Sequence, residues 1–88
     1  MEHTVKIASP LRSYVHGATQ VRAQGDSLQE LLADLEHAYP GMRFRMIDEQ
    51  ERIRPHIRIF VNSVEALTLD FALLKEDVIH LICALSGG

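Results

Sequence analysis

A single cysteine, Cys83, leaves no partner for an internal disulfide, and so points to a reducing, cytoplasmic setting. No apolar run comes near the roughly 20 residues that a membrane-spanning helix needs, so no membrane role is expected. The opening Met1-Glu2-His3-Thr4 lacks the basic and then apolar sequence of a secretory signal. Positive charge is not in excess: the formal net charge is −3 and the pI about 5.9, which argues against nucleic acid as the main partner. The histidines at 3, 16, 37, 56 and 80 include no i, i+4 pair, and no cysteine lies at ligand spacing, so no metal site and no bound cofactor are expected. Internal repeats, low-complexity tracts, a Ser-His-Asp spacing, a phosphate loop and a paired-carboxylate site are all missing. With 88 residues there is little room for a substrate pocket, and the chain is not expected to be an enzyme.

What is present is an ordinary globular composition, 47% hydrophobic and 24% charged, enough for one small domain. Residues 4–9 alternate, with Val5 and Ile7 on one side and Lys6 and Ala8 on the other, as in a half-buried strand. Pro10 ends that strand, and residues 11–17 suit a loose hairpin connection. Residues 19–23 form a second strand, Val21 and Ala23 inward, Gln20 and Arg22 outward. Residues 27–39 carry the clearest helix signal: Ser27 and Glu30 make a capping box, and Leu28, Leu31, Leu32 and Leu35 repeat at i, i+3, i+4 and i+7, with Ala38 continuing that face. Each buried leucine contributes ~1.5–3 kcal/mol before entropy is counted. Gln29, Glu30, Asp34 and Glu36 read as the helix's solvated face, and Pro40-Gly41 stops it.

Residues 42–54 suggest a short helical turn and then an exposed loop. Residues 56–62 form a third strand, Ile57, Ile59 and Val61 inward, Arg58 and Phe60 outward. Asn62-Ser63 suits a turn, residues 65–71 a short strand or turn, and Lys75-Glu76-Asp77 a tight polar turn. In the last strand, over 78–85, Ile79, Leu81 and Cys83 face the core while His80 and Ile82 face away. Strand, strand, helix, strand, short strand, strand is the β-grasp order: an α+β fold with a mixed sheet of four to five strands and one helix packed across it. The domain is expected over 1–84, with 85–88 as a flexible tail.

That tail is Leu85-Ser86-Gly87-Gly88. A glycine carboxylate has no Cβ beside it and little restriction on φ and ψ, so it can thread into an active site too narrow for a bulkier end. An ending without significance is the plain alternative.

Taken with Ile59-Phe60-Val61-Asn62 and Leu74-Lys75-Glu76-Asp77-Val78, the ending Ala84-Leu85-Ser86-Gly87-Gly88 resembles the MoaD/ThiS family of ubiquitin-like sulfur carrier proteins, over nearly the whole chain. One departure is the turn before the last strand, where Lys75-Glu76-Asp77-Val78 replaces the family's usual Gly-Asp-Glu-Val. The length and Arg54-Pro55-His56 look more like the cysteine-forming and thiocarboxylate-siderophore carriers than the thiamine carrier. The resemblance implies that Gly88 is adenylated by an ATP-dependent enzyme of the ubiquitin-activating ThiF/MoeB type and converted to a thiocarboxylate that gives its sulfur to a biosynthetic acceptor enzyme. Gly87, Ser86 and Leu85 would supply slimness and reach, and some relatives also need a processing metalloprotease. Other readings are a ubiquitin-like modifier joined to lysines through Gly88, and a non-covalent interaction module.

By the same likeness to ubiquitin, the outward Phe60, His80 and Ile82, with Ala84 beyond them, are expected to form the docking patch for the activating enzyme. Inward-facing Cys83 reads as a small core hydrophobe rather than a nucleophile. Arg43, Arg45, Arg52, Arg54 and Arg58 concentrate positive charge that either steers an acidic partner or merely lies solvated.

Overall fold

The computed structural model describes residues 1–84. Its strands follow the period-two pattern: β1 Glu2–Ile7, β2 Gln20–Gln24, β3 Ile57–Val61, β4 Val64–Ala66 and β5 Val78–Cys83. They form one sheet in the order β2-β1-β5-β3-β4. β1 and β5 run parallel, and the other neighbours are antiparallel. One face is sealed by α1, Leu28–Ala38, whose four leucines are all at most 1% exposed. They pack with Val5, Ile59, Ile79 and Leu81 in a single core. The mixed five-stranded sheet with one crossing helix is the β-grasp fold, as the element order implies. Among the described residues no helix is long and apolar enough to cross a membrane.

The helix N-terminus departs slightly from the capping-box expectation. Ser27 Oγ accepts from the Glu30 amide at 3.2 Å, but Glu30 Oε1 accepts from the Asp26 amide at 2.9 Å, one residue before the cap. Two further amides at this end, of Leu28 and Gln29, donate to the carbonyls of Phe71 and Leu69. The connection after β4 therefore satisfies donors that a helix start leaves orphaned. Gly25 is required where the chain enters the helix: a Cβ there would lie 2.5 Å from the Leu31 nitrogen.

Three other readings change. Residues 11–17 do not make a loose hairpin; Ser9–Val15 is a 3-10 helix. Leu11 and Val15 are 2% and 1% exposed, so the segment is anchored to the core at both positions rather than looped out as a connection. Ala38 does not continue the apolar face but is exposed. Glu36 is more than a solvated charge: its carboxylate accepts from the amides of Gly41 and Arg43 at 3.0 Å. These bonds hold it below the usual carboxylate range and fix the corner between α1 and α2, Met42–Met46. That short helix matches the helical turn expected after Pro40-Gly41.

One histidine is a structural post. His3 is 1% exposed, and its Nδ1 and Nε2 each lie 3.0 Å from a carbonyl oxygen, of Asp77 and Gly25 respectively. It ties the start of β1 to the turns that precede β5 and α1.

Candidate functional site

β5 is the middle strand, hydrogen-bonded on both edges, so the point where the chain leaves it is held firmly. The last described link is the Ala84 amide, which donates to the His56 carbonyl at 2.7 Å. Gly88, Gly87, Ser86 and Leu85, the residues expected to carry the chemistry and the reach, lie outside the described residues.

The sheet face away from α1 is assembled by register. Gln20, Lys6, His80, Phe60 and Glu65 are consecutive partners across all five strands, and Ile82 lies opposite Arg58 in the next row. Phe60, His80 and Ala84 are half-buried, while Ile82 is 40% exposed. The three expected outward residues of β3 and β5 thus form one cluster, and Ala84 follows at its end. Arg58 pairs with Glu65, the residue opposite Phe60 on β4, at an N–O distance of 3.2 Å. Beside His80 and Ile82 an open groove of about 370 Å³ brings in Lys6 and Arg12. Lys6 is outward, as its strand pattern predicts, whereas nothing in the sequence pattern marks Arg12, whose Nε donates to the Ile7 carbonyl at 3.0 Å. Only the 3-10 helix, unrecognised in the sequence, turns it toward the sheet.

The turn feeding β5 explains why two distant sequence pieces go together. Asn62, in the left-handed region at φ 56°, donates from Nδ2 to Asp77 Oδ1 at 2.9 Å and accepts the Val78 amide on Oδ1 at 3.0 Å. Asp77 Oδ2 accepts the Leu74 amide at 2.7 Å. The Leu74 amide bond, the largest effect, holds the Asp77 carboxyl below its ordinary range against the opposing effect of burial, with Asn62 and then His3 adding smaller help. The positive φ in this turn, 69°, falls on Glu76 and not on Lys75, so the residue standing where the family has glycine does not need the left-handed backbone that glycine adopts most readily.

Cys83 is half-buried against the core, and burial pushes its thiol up from its ordinary value, with Arg45 opposing. This suits a packing residue and not an activated thiolate. Among the described residues no cluster of three or more His, Cys, Asp or Glu side chains could hold a metal. The five arginines do not act as one group. Arg43 pairs with Glu51 at 2.9 Å and Arg52 with Asp48 at 3.7 Å, while Arg58 is engaged by Glu65. Arg45 and Arg54 instead lie over aromatic rings, 5.7 Å from the centroid of Tyr14 and 4.5 Å from that of Phe44.

Comparison with known proteins agrees with this geometry. The ThiS family model matches residues 5–88. The sulfur carrier protein CysO of Mycobacterium tuberculosis is 31% identical over 93 residues, covering 100% of both chains. Its crystal structure superposes with a TM-score of 0.88 at 28% identity, over 94% of this chain and 99% of that one. CysO in the BexX/CysO complex of Amycolatopsis orientalis gives 0.90 at 27% identity, over 98% and 99%. At the level of fold alone, SAMP1 from Haloferax volcanii gives 0.83 at 24% identity, over 100% of both chains. The chain belongs to the ThiS family of ubiquitin-like sulfur carrier proteins.

Proposed function

We propose that this carrier holds its sulfur as a thiocarboxylate on Gly88. The observation that carries the reading is the end-to-end match to a curated sulfur carrier, with the family model running through the final glycine. The chemistry needs activation, because a carboxylate at neutral pH would have to expel oxide. In the proposed sequence the Gly88 carboxylate attacks the α-phosphorus of ATP in a ThiF/MoeB-type adenylyltransferase, and pyrophosphate leaves. Hydrosulfide then attacks the acyl carbon, the C–O bond to AMP breaks, and the thiocarboxylate and a proton remain. ATP belongs to the partner; the carrier is a co-substrate.

Phe60, His80, Ile82 and Ala84 are the proposed contact for that enzyme. Support comes from their clustering on the uncovered sheet face, next to the point where β5 ends. Gly87, Ser86 and Leu85 are proposed to span from this contact to the reacting centre. An acceptor enzyme is the second proposed partner, and that a relative forms a complex with BexX supports a stable docked state with one. A processing metalloprotease enters only if residues beyond Gly88 are first made.

Intact-mass spectrometry after incubation with the adenylating enzyme, ATP and sulfide tests the reading. A species about 16 Da heavier is expected, with fragmentation placing the change on Gly88 and not on a methionine, where oxidation adds the same mass. An unmodified carboxylate under these conditions would overturn it, and lysine-linked conjugates would point to the modifier reading.

A further inference from the structure

The charge of this molecule is sorted by end. The sheet end at which β5 finishes is bounded by the last residues of β1, the first of β3, the 3-10 helix and α2. On the uncovered sheet face it carries Lys6, Arg12 and Arg58. On the helix side it carries Arg45, whose charge reaches Cys83, and Arg54. Arg45 and Arg54 share a surface groove with Phe44 and with His56, whose carbonyl holds Ala84. Three carboxylates accompany these cations: Glu65, paired with Arg58; Glu49 in the Arg45–Arg54 groove; and Asp48, paired with Arg52 and near enough to Arg54 to feel its charge.

The opposite end of the sheet is acidic. The Gly25–Asp26 turn and the start of α1 bring Asp26, Glu30 and Asp34 together through backbone amides and the Met1 amine. Glu2 lies beside them, paired with Arg22, and Glu76 and Asp77 line the turn into β5. Lys75 is the remaining cation there. A chain whose net charge is −3 therefore presents a positive end around the departure of its tail and a negative end away from it.

Among the described residues Lys6, Arg12, Arg45 and Arg54 have no carboxylate within ion-pair distance. Arg45 and Arg54 nevertheless both lie over aromatic rings, Arg45 at cation–π distance from Tyr14 and Arg54 closer to Phe44, and Arg54 is also held by an Nε bond to the Phe44 carbonyl at 2.7 Å. A guanidinium fixed on an aromatic face loses little freedom when it meets a carboxylate fork. Phe44, 59% exposed, adds apolar area in the same place.

We propose that this end is a cationic collar that recognises an acidic protein rim around the active-site mouth of an enzyme receiving the tail, so that the carrier is steered in tail-first. The proposal rests on the carrier reading above. It favours a protein over a nucleic acid because the acidic far end and net negative charge repel a long polyanion, whereas a local carboxylate rim meets only the collar. Charge of this kind acts on encounter rates and fades with salt over a Debye length of about 8–10 Å.

Two measurements test it. Amide shift mapping of the labelled protein with a short polyglutamate peptide at low salt is expected to move resonances around residues 6, 12, 45, 54 and 58. The shifts should vanish in Arg45→Glu/Arg54→Glu. No shifts, shifts at the far end, or tighter binding of a single-stranded oligonucleotide of equal charge would overturn the proposal. In the loading assay the same double variant should take up sulfur about ten-fold more slowly at low salt but reach the same final yield, and wild-type loading should slow as salt rises. Equal, salt-independent rates would also overturn it. If charge reversal disturbs the fold, Arg45→Gln/Arg54→Gln takes its place with a smaller expected slowing. Should wild type never gain sulfur, the carrier reading fails while the peptide map still reports on the collar.

Discussion

The two faces of the sheet are made by the same five strands, one residue out of step. Val5, Ile79, Ile59 and Leu81 lie toward α1 and are at most 1% exposed, while Lys6, His80, Phe60 and Ile82 lie on the other side, in or next to a single row of register partners. Period-two alternation thus separates what holds the domain together from what it presents. On the covered face a lost methylene leaves a void among close-packed neighbours. On the open face the same loss meets solvent, and under the proposed function its consequence falls on docking. The two faces are expected to respond to substitution in opposite ways.

The largest effect should come from the covered side. Leu32→Ala is expected to cost about 2–5 kcal/mol, a large part of the 5–15 kcal/mol typical of a domain. Urea unfolding reads it, and the molecules that remain folded should still load sulfur at the wild-type rate. Gly25→Ala comes next at about 1–3 kcal/mol, because the new methyl meets the Leu31 nitrogen and α1 must shift. A fall in the urea midpoint without change in slope is the expected result, and an unchanged midpoint would mean that the corner relaxes freely.

Asp77 lets pH divide the comparison. Its carboxyl lies below the ordinary range in the folded protein, so its contribution is complete above the unfolded value of about 3.9 and is lost as pH falls through the lower folded value. Asp77→Asn should therefore flatten the loss of stability below about pH 4, read by acid unfolding, while leaving the open face intact. The smallest effect on stability is expected from Phe60→Ala combined with Ile82→Asp, within about 1 kcal/mol. The same variant should slow adenylation of Gly88 markedly. Unchanged activation kinetics would remove this patch from the docking surface.

Much of this was legible because the signals are local. The leucine spacing of α1, the Ser27 cap and the inward residues of β1, β2, β3 and β5 each depend on neighbours within a few positions. The 3-10 helix was not legible, because Leu11 and Val15 four residues apart fit a turn of several kinds until the core selects one. Nor was the exposure of Ala38, since a small residue at the end of an apolar face carries no signal of where the partner surface stops. The cluster of arginines was visible as composition but not as pairing. Arg43 and Arg52 find carboxylates through the local turn geometry of residues 42–52, whereas Arg45 and Arg54 meet aromatic rings.

By itself the sequence determined the element order, the two faces of each strand and the helix, because hydrophobic period and turn chemistry act over short range. Only the tertiary structure decided that His3 is a buried post between two turns and that Arg12 joins Lys6 beside His80. Those outcomes depend on which distant segments pair, and pairing is settled by burying one common core rather than by any residue's own neighbours in the chain.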